Sequence, residues 1–474
     1  MRVASRVSVV FVVVLLAATL VAAQEVGLPD SEAGRRIAEW FRAFGTATEA
    51  ELVAFFTANL APGELERRTA QERAARTLGL RRETGELRLV KVLRVAPDAI
   101  AVTAANARGE WFEVGFTLEP TAPHRIVGVR IEQGEAPSEG DDQPLSLEAA
   151  LAALDAFASE RAAKDEFAGA VLVARGDRML LEKAWGHADR AFAVPNRTDT
   201  RFCLGSINKL FTKVAVAQLA AAGKLSLDDR LGKWLPDYPN ATAAEKVTVR
   251  QLVQMSSGIG DFFNERFEAL PKDRLRGNAD YLPLFASDPL LFEPGAGNRY
   301  SNGGYAVLGE VVARAAGKDY YEVIREGIYA PAGMTASDSF ELDAVVPNLA
   351  EGYTRNAGPG LRRNVYTKPA RGSAAGGGYS TVRDMLAFSR ALQANRLASQ
   401  EWTAWVMGGP EPGSAGAAQR APGIGVAGGA PGMNAMLEIE VATGTTIVVL
   451  ANLDPPAAGA IARQARALLR RVKE

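Results

Sequence analysis

The sequence predicts an α+β protein built from two domains. Residues 30–133 read as helices followed by strands, and residues 134–146 are polar and rich in chain breakers. Residues 147–474 begin and end with strand patterns around a long helical and loop-rich middle. At 474 residues the chain is also too long for one ordinary core.

Residues 1–23 come first. Arg2 and Arg6 precede an apolar run from Val9 to Ala18, and Val21-Ala22-Ala23 ends in small residues before Gln24. This order of charged, apolar and small segments is that of a secretory signal cleaved after Ala23. No polar stop-transfer flank follows, and no cysteine ends the run, so neither a stable membrane anchor nor a lipoprotein anchor is expected. The reading implies an exported protein, periplasmic or secreted.

The first domain opens with a helix marked by Ile37, Trp40, Phe41 and Phe44 at three- and four-residue steps. A second helix is expected over residues 49–60 and a charged third over 64–77. Strands follow at 86–95, 99–105, 111–118 and 125–132, separated by turn formers such as Pro97-Asp98 and Asn106 to Gly109. Helices followed by an antiparallel meander make a small α+β unit, whose arrangement resembles the nuclear-transport-factor-2-like cone. No catalytic constellation is visible in it.

The segment 134–146 reads as a linker. The second domain then begins with a helix at 147–164 and a hairpin of strands 169–174 and 179–185. It ends with strands 433–441 and 445–450, turning at Thr443-Gly444, and a helix over 457–472. Strands at both ends of a domain imply one sheet assembled from distant segments.

Composition removes several function classes. The 54 basic and 55 acidic residues nearly cancel, which argues against a nucleic-acid partner. Two histidines, His124 and His187, and the single Cys203 exclude a disulfide framework and argue against a His- or Cys-based metal site.

Three clusters carry chemistry. The first, Gly205-Ser206-Ile207-Asn208-Lys209, has the form S-x-x-K and opens an alanine-rich helical stretch, Leu210 to Ala222. A three-residue spacing puts the Ser206 hydroxyl and the Lys209 amine on one helix face. A desolvated amine can take the serine proton. Alone, the motif is equally an ordinary helix start with a capping serine. The second cluster, Tyr300-Ser301-Asn302, offers a phenol able to relay a proton and an amide able to orient a carbonyl or the lysine. The third, Gly425 to Asn434, is a glycine-rich loop leading into a strand. Its glycines would let backbone N–H groups approach a substrate, as an oxyanion hole requires.

Taken in order, the clusters resemble those of the serine β-lactamase-like superfamily: class C β-lactamases, D-alanyl-D-alanine carboxypeptidases, D-aminopeptidases and related esterases. The resemblance runs from Leu147 to the C-terminus. It includes Phe167-Ala168-Gly169-Ala170-Val171 with Gly186, Gly223 to Asp229 with Leu235-Pro236, Val247 to Leu252 running on to Ser256-Ser257-Gly258-Ile259, and Ala375 to Thr381. It implies an antiparallel sheet flanked by helices plus a helical domain. By the same resemblance Ser206 is the acylated nucleophile, Lys209 its base and Tyr300 the proton-transfer group. Asn302, Gly428 and Gly429 bind substrate, with the N–H groups of Ser206 and Gly429 as oxyanion hole. The implied reaction is acylation then hydrolysis of a small ester, amide or peptide, without cofactor or metal.

The chain departs from the family at the third cluster. Members carry Lys or His there, as in K-T-G or H-x-G, where this chain has Val426. Valine can neither ionise Tyr300 nor attract a substrate carboxylate, so neutral esters are favoured. The departure also opens an alternative, a weakly active or inactive relative that binds ligands or peptides. Met255 stands where His is frequent, with an expected structural effect only.

Overall fold

The computed structural model describes residues 27–67, 69–134, 143–414 and 423–473. The expected signal segment therefore lies outside the described residues, as does most of the expected linker. Among the described residues no helix is long and apolar enough to cross a membrane. The chain forms two compact units, Met1–Asp141 and Asp142–Glu474.

In the first unit helices α1 (Glu32–Thr46), α2 (Glu49–Asn59), α3 (Pro62–Arg67) and α4 (Ala70–Thr84) precede strands β1 (Arg88–Ala96), β2 (Ala99–Ala105), β3 (Trp111–Leu118) and β4 (Ile126–Gln133). The strands pair antiparallel in the order β1-β2-β3-β4. The third helix expected over 64–77 is in fact two. Thr69 makes a capping box with Glu72, as Thr48 does with Glu51, and so starts a new helix where charge pattern alone suggested continuity. Trp40 is the centre of this unit's main core: it stacks on Phe44 at 4.9 Å and meets the edge of Phe116 at 5.2 Å. That aromatic contact joins α1 to β3.

In the second unit α5 (Leu147–Ala163) leads into β5 (Gly169–Arg175) and β6 (Arg178–Trp185). Further on come the short β7 (Phe202–Cys203), α6 (Asn208–Ala221), α7 (Asn302–Ala316), the short β8 (Tyr379–Ser380), α8 (Val382–Gln393) and α9 (Gln400–Val406). The unit closes with β9 (Gly423–Ala430), β10 (Met433–Glu440), β11 (Thr445–Ala451) and α10 (Ala457–Arg470). One five-stranded antiparallel sheet has the order β9-β10-β11-β5-β6. Distant ends of the domain thus meet at the β11–β5 pair.

The central strands are buried on both faces, which explains their unbroken apolar runs. On β5, Ala170 and Leu172 face the large core containing α6, whereas Val171 and Val173 face the core built from α5 and α10. On β11, Val448 and Leu450 face the first core, and Ile447 and Val449 the second. The two-residue period of the strand sorts each run between the layers.

One expectation needs correction. Residues 423–430 form an edge strand of this sheet rather than a loop, registered on β10 with Gly429 opposite Asn434. Glycine disfavours strands, so the composition pointed to a loop. The glycines are needed because another backbone passes close by.

Candidate active site

Strand β7 pairs with β8, Cys203 opposite Tyr379, and the Leu204 N–H donates to Gly378 O at 2.7 Å. The chain then turns through Gly205, whose φ of +52° is left-handed. A short 3₁₀ turn, Gly205–Ile207, runs directly into α6 and leaves Ser206 at the junction. A Cβ on Gly205 would lie 2.9 Å from the Gly429 nitrogen, and one on Gly428 would lie 1.9 Å from the Leu204 oxygen. The β9 backbone is therefore packed against the Ser206 turn, and only glycines at 205 and 428 permit that approach.

Helix α6 is apolar on nearly all sides: Phe211, Val214, Ala215, Val216 and Ala217 are all buried. Lys209, on its first turn, is only 7% exposed. Its Nζ lies 3.2 Å from Ser206 Oγ, and it donates to Asn302 Oδ1 at 2.7 Å and to Ala375 O at 2.5 Å. Burial pulls its pKa down to about 7, opposed by the negative charge of Asp261. A neutral amine has two hydrogens and one lone pair. Here the two hydrogens have Asn302 and Ala375 as acceptors, which leaves the lone pair for Ser206.

Tyr300 Oη lies 2.6 Å from Ser206 Oγ, and the Lys209 Nζ sits 4.7 Å from the centre of the Tyr300 ring. Burial raises the Tyr300 pKa, and Asp261 adds to the rise against the hydrogen bond shared with Ser206. The phenol therefore keeps its proton at neutral pH. Tyr300 is held by its neighbour: Ser301 caps α7, accepting from the Gly304 N–H at 2.8 Å and donating to Gly260 O at 2.8 Å.

The structure thus brings Ser206, Tyr300, Asn302 and Gly429 together around one cleft of about 430 Å³, with Lys209 behind them in contact with Ser206 and Asn302. Gly428 is not part of its lining. It is buried behind Ser206, and its carbonyl accepts from Asn434 Nδ2 at 2.9 Å. Val426 lies on the same side of β9 as Gly428, is partly buried and packs against the large core. It does not line the cleft either, and among the described residues β9 contributes no cation.

Three participants escape the sequence motifs. Asp261 Oδ2 accepts from both the N–H and the Nδ2 of Asn302, at 3.0 and 2.9 Å, which turns the Asn302 carbonyl towards Lys209. It lies two residues beyond the Ser256–Ile259 stretch noted in the sequence, so its neighbourhood was visible but its contact was not. Ala375 acts through its carbonyl alone, which no side-chain motif reports. The apolar wall, with Phe262, Phe263, Tyr281 and Phe340, comes from three separate segments.

Comparison with known proteins agrees with this picture. A model of the family described as Beta-lactamase matches residues 154–471. Penicillin-binding protein 4* of Bacillus subtilis (strain 168) is 32% identical over 173 residues, covering 36% of this chain and 38% of that protein. Esterase EstB of Burkholderia gladioli is 36% identical over 211 residues, covering 41% of this chain and 53% of that protein. The chain therefore spans about half, or less, of the length of these curated relatives. The crystal structure of a penicillin-binding protein from Bacillus halodurans superposes with a TM-score of 0.59 at 30% identity, covering 65% of this chain and 99% of the other.

Proposed function

The chain belongs to the Beta-lactamase family, and on that premise we propose that it is a serine hydrolase cleaving a small ester or amide through an acyl-serine intermediate. The observation that carries the reading is the contact of Ser206 Oγ with both Lys209 Nζ and Tyr300 Oη, with the Lys209 pKa pulled down to about 7. Lys209 is then the general base and Ser206 the nucleophile.

In acylation, Ser206 Oγ transfers its proton to Lys209 as its oxygen bonds to the substrate carbonyl carbon. The negative charge that develops on the carbonyl oxygen is met by the N–H groups of Ser206 and Gly429. Tyr300 donates its proton to the leaving alcohol or amine and regains one from Lys209. In hydrolysis of the acyl-enzyme, water gives a proton to the same pair as its oxygen bonds to the acyl carbon, and the pair returns that proton to Ser206 Oγ as the acyl–oxygen bond breaks. Asn302 and Asp261 hold Lys209 in position. No cofactor or metal enters this scheme.

A weak or inactive binder is the alternative, and Val426 is its support. Against it stand the available lone pair of Lys209 and a protonated Tyr300 already within hydrogen-bond reach of the nucleophile. The charged, apolar and small-residue order of the first 23 residues supports export. The helix–meander unit is assigned a supporting rather than catalytic role.

The test is to label the protein with a fluorophosphonate and with a labelled penicillin, then locate any adduct by mass spectrometry. An adduct on Ser206 is expected with the fluorophosphonate. Absence of any Ser206 adduct with either probe would refute the hydrolase reading. Penicillin labelling in addition would extend the substrate range from esters to β-lactams.

A further inference from the structure

We propose that Lys368 is the anion-binding residue of the cleft, so that the preferred substrate is an ester whose acyl part carries a carboxylate. The proposal deepens the hydrolase reading and rests on it. Lys368 lines the same cleft as Ser206 and Tyr300, and it comes from a segment unrelated to the three motif clusters. Its Nζ donates to Tyr379 Oη at 3.0 Å and sits 5.6 Å from the centre of that ring. Tyr379 in turn pairs with Cys203, three residues before the nucleophile. The ammonium is thereby fixed at the β7–β8 end of the cleft.

Its charge lacks a close partner. Burial pushes the Tyr379 phenol and the Cys203 thiol up, so both are neutral at physiological pH. Glu351 contributes only a minor electrostatic attraction. Among the described residues Lys368 forms no ion pair. Lysine has three donors, and Tyr379 accepts from one, leaving two for a ligand. The rest of the wall is largely apolar and includes Phe262, Phe263, Tyr281 and Phe340. Burial disfavours the Lys368 charge, but its neighbours, Tyr379 first, outweigh that and hold its pKa up, so it stays an ammonium able to attract an anion.

Substrate recognition follows from this layout. The ester carbonyl sits at Ser206 and Gly429, the carbon chain of the acyl group lies along the aromatic wall, and a terminal carboxylate meets Lys368. The cation that Val426 removes from β9 is supplied from another segment of the chain. This works against the preference for neutral esters that Val426 alone implies.

The experiment compares two matched esters with full-length protein: 4-nitrophenyl butyrate and 4-nitrophenyl hemisuccinate. Wild type is expected to favour the hemisuccinate by at least about tenfold in kcat/KM after correction for intrinsic reactivity. Lys368→Met should reduce that ratio by about tenfold or more, and Lys368→Arg should keep most of it. A wild type without the preference, or a ratio unmoved by Lys368→Met, overturns the proposal, and the wild-type result decides even if Lys368→Met fails to fold. Should wild type hydrolyse neither ester, calorimetric titration with glutarate separates the two readings. Binding that Lys368→Met abolishes would sustain the anion site while the hydrolase reading falls, and no binding would end both.

Discussion

The two units of this protein differ in how they use ionisable side chains. In Met1–Asp141 the ionisable side chains serve local geometry: Glu51 and Glu72 complete capping boxes, and Arg81 donates to the carbonyls of Ala43 and Ala47. In Asp142–Glu474, two lysines one turn apart on α6 are desolvated instead. Lys209 is drawn to about 7 and Lys213 to about 8 by burial. Lys213 is spent on structure, donating to the carbonyls of Trp405 and Val406 at 2.8 and 3.2 Å at the end of α9. Lys209 instead contacts Ser206, which lines the cleft. The comparison teaches that burial alone does not make a base; what matters is whether the lone pair meets a proton to take.

The sharpest test of that contrast is Ser206→Ala. It should reduce esterase activity by about 10³-fold or more, measured with a 4-nitrophenyl ester, while the thermal unfolding midpoint stays put. Trp40→Ala attacks the other unit. It should destabilise that unit by about 3–5 kcal/mol, measured by denaturant unfolding, and leave fluorophosphonate labelling of Ser206 intact. Lost labelling would break the division of labour between the units.

Smaller effects refine the role of Lys209. Because a base must be neutral, wild-type kcat/KM should rise with pH through about 7 and then level off. Asp261→Asn removes the negative charge that holds the Lys209 pKa up, so the profile should move to lower pH. It also frees the Asn302 amide to rotate, which should cost about tenfold in rate. An unshifted profile would show that Asp261 is structural only. The smallest expected change is Lys213→Met. Leaving two carbonyls without their donor should cost about 1–2 kcal/mol of stability, with activity within about twofold of wild type. A large loss of activity there would erase the distinction between the two lysines.

Much of the first unit was legible because its rules are local. Apolar spacing at Ile37, Trp40, Phe41 and Phe44 locates α1, and turn formers delimit the meander. The split between α3 and α4 was missed because a threonine cap carries less weight in a charge pattern than in a hydrogen-bond ladder. In the second unit the strand alternation was legible, but β9 was not. Its Gly428 answers to the backbone of Leu204–Ser206 more than two hundred residues away, and no local pattern records that requirement.

The candidate site divides in the same way. Ser206 and Lys209 are neighbours through helix geometry, so their pairing follows from spacing in the chain. Tyr300, Asn302 and Gly429 could be nominated from residue type and family order, yet only the packing of α7 and β9 against α6 brings them within reach. Asp261, the Ala375 carbonyl and Lys368 depend wholly on tertiary structure, because their significance lies in what they face. The sequence by itself determined most of the helices and strands, the pairing of Ser206 with Lys209 and the missing cation of β9. Tertiary structure decided how far burial lowers the Lys209 pKa, which way Asn302 points and where the cleft keeps a positive charge. The physical reason is that hydrogen bonds and desolvation depend on distance in space, whereas a sequence specifies only distance along the chain.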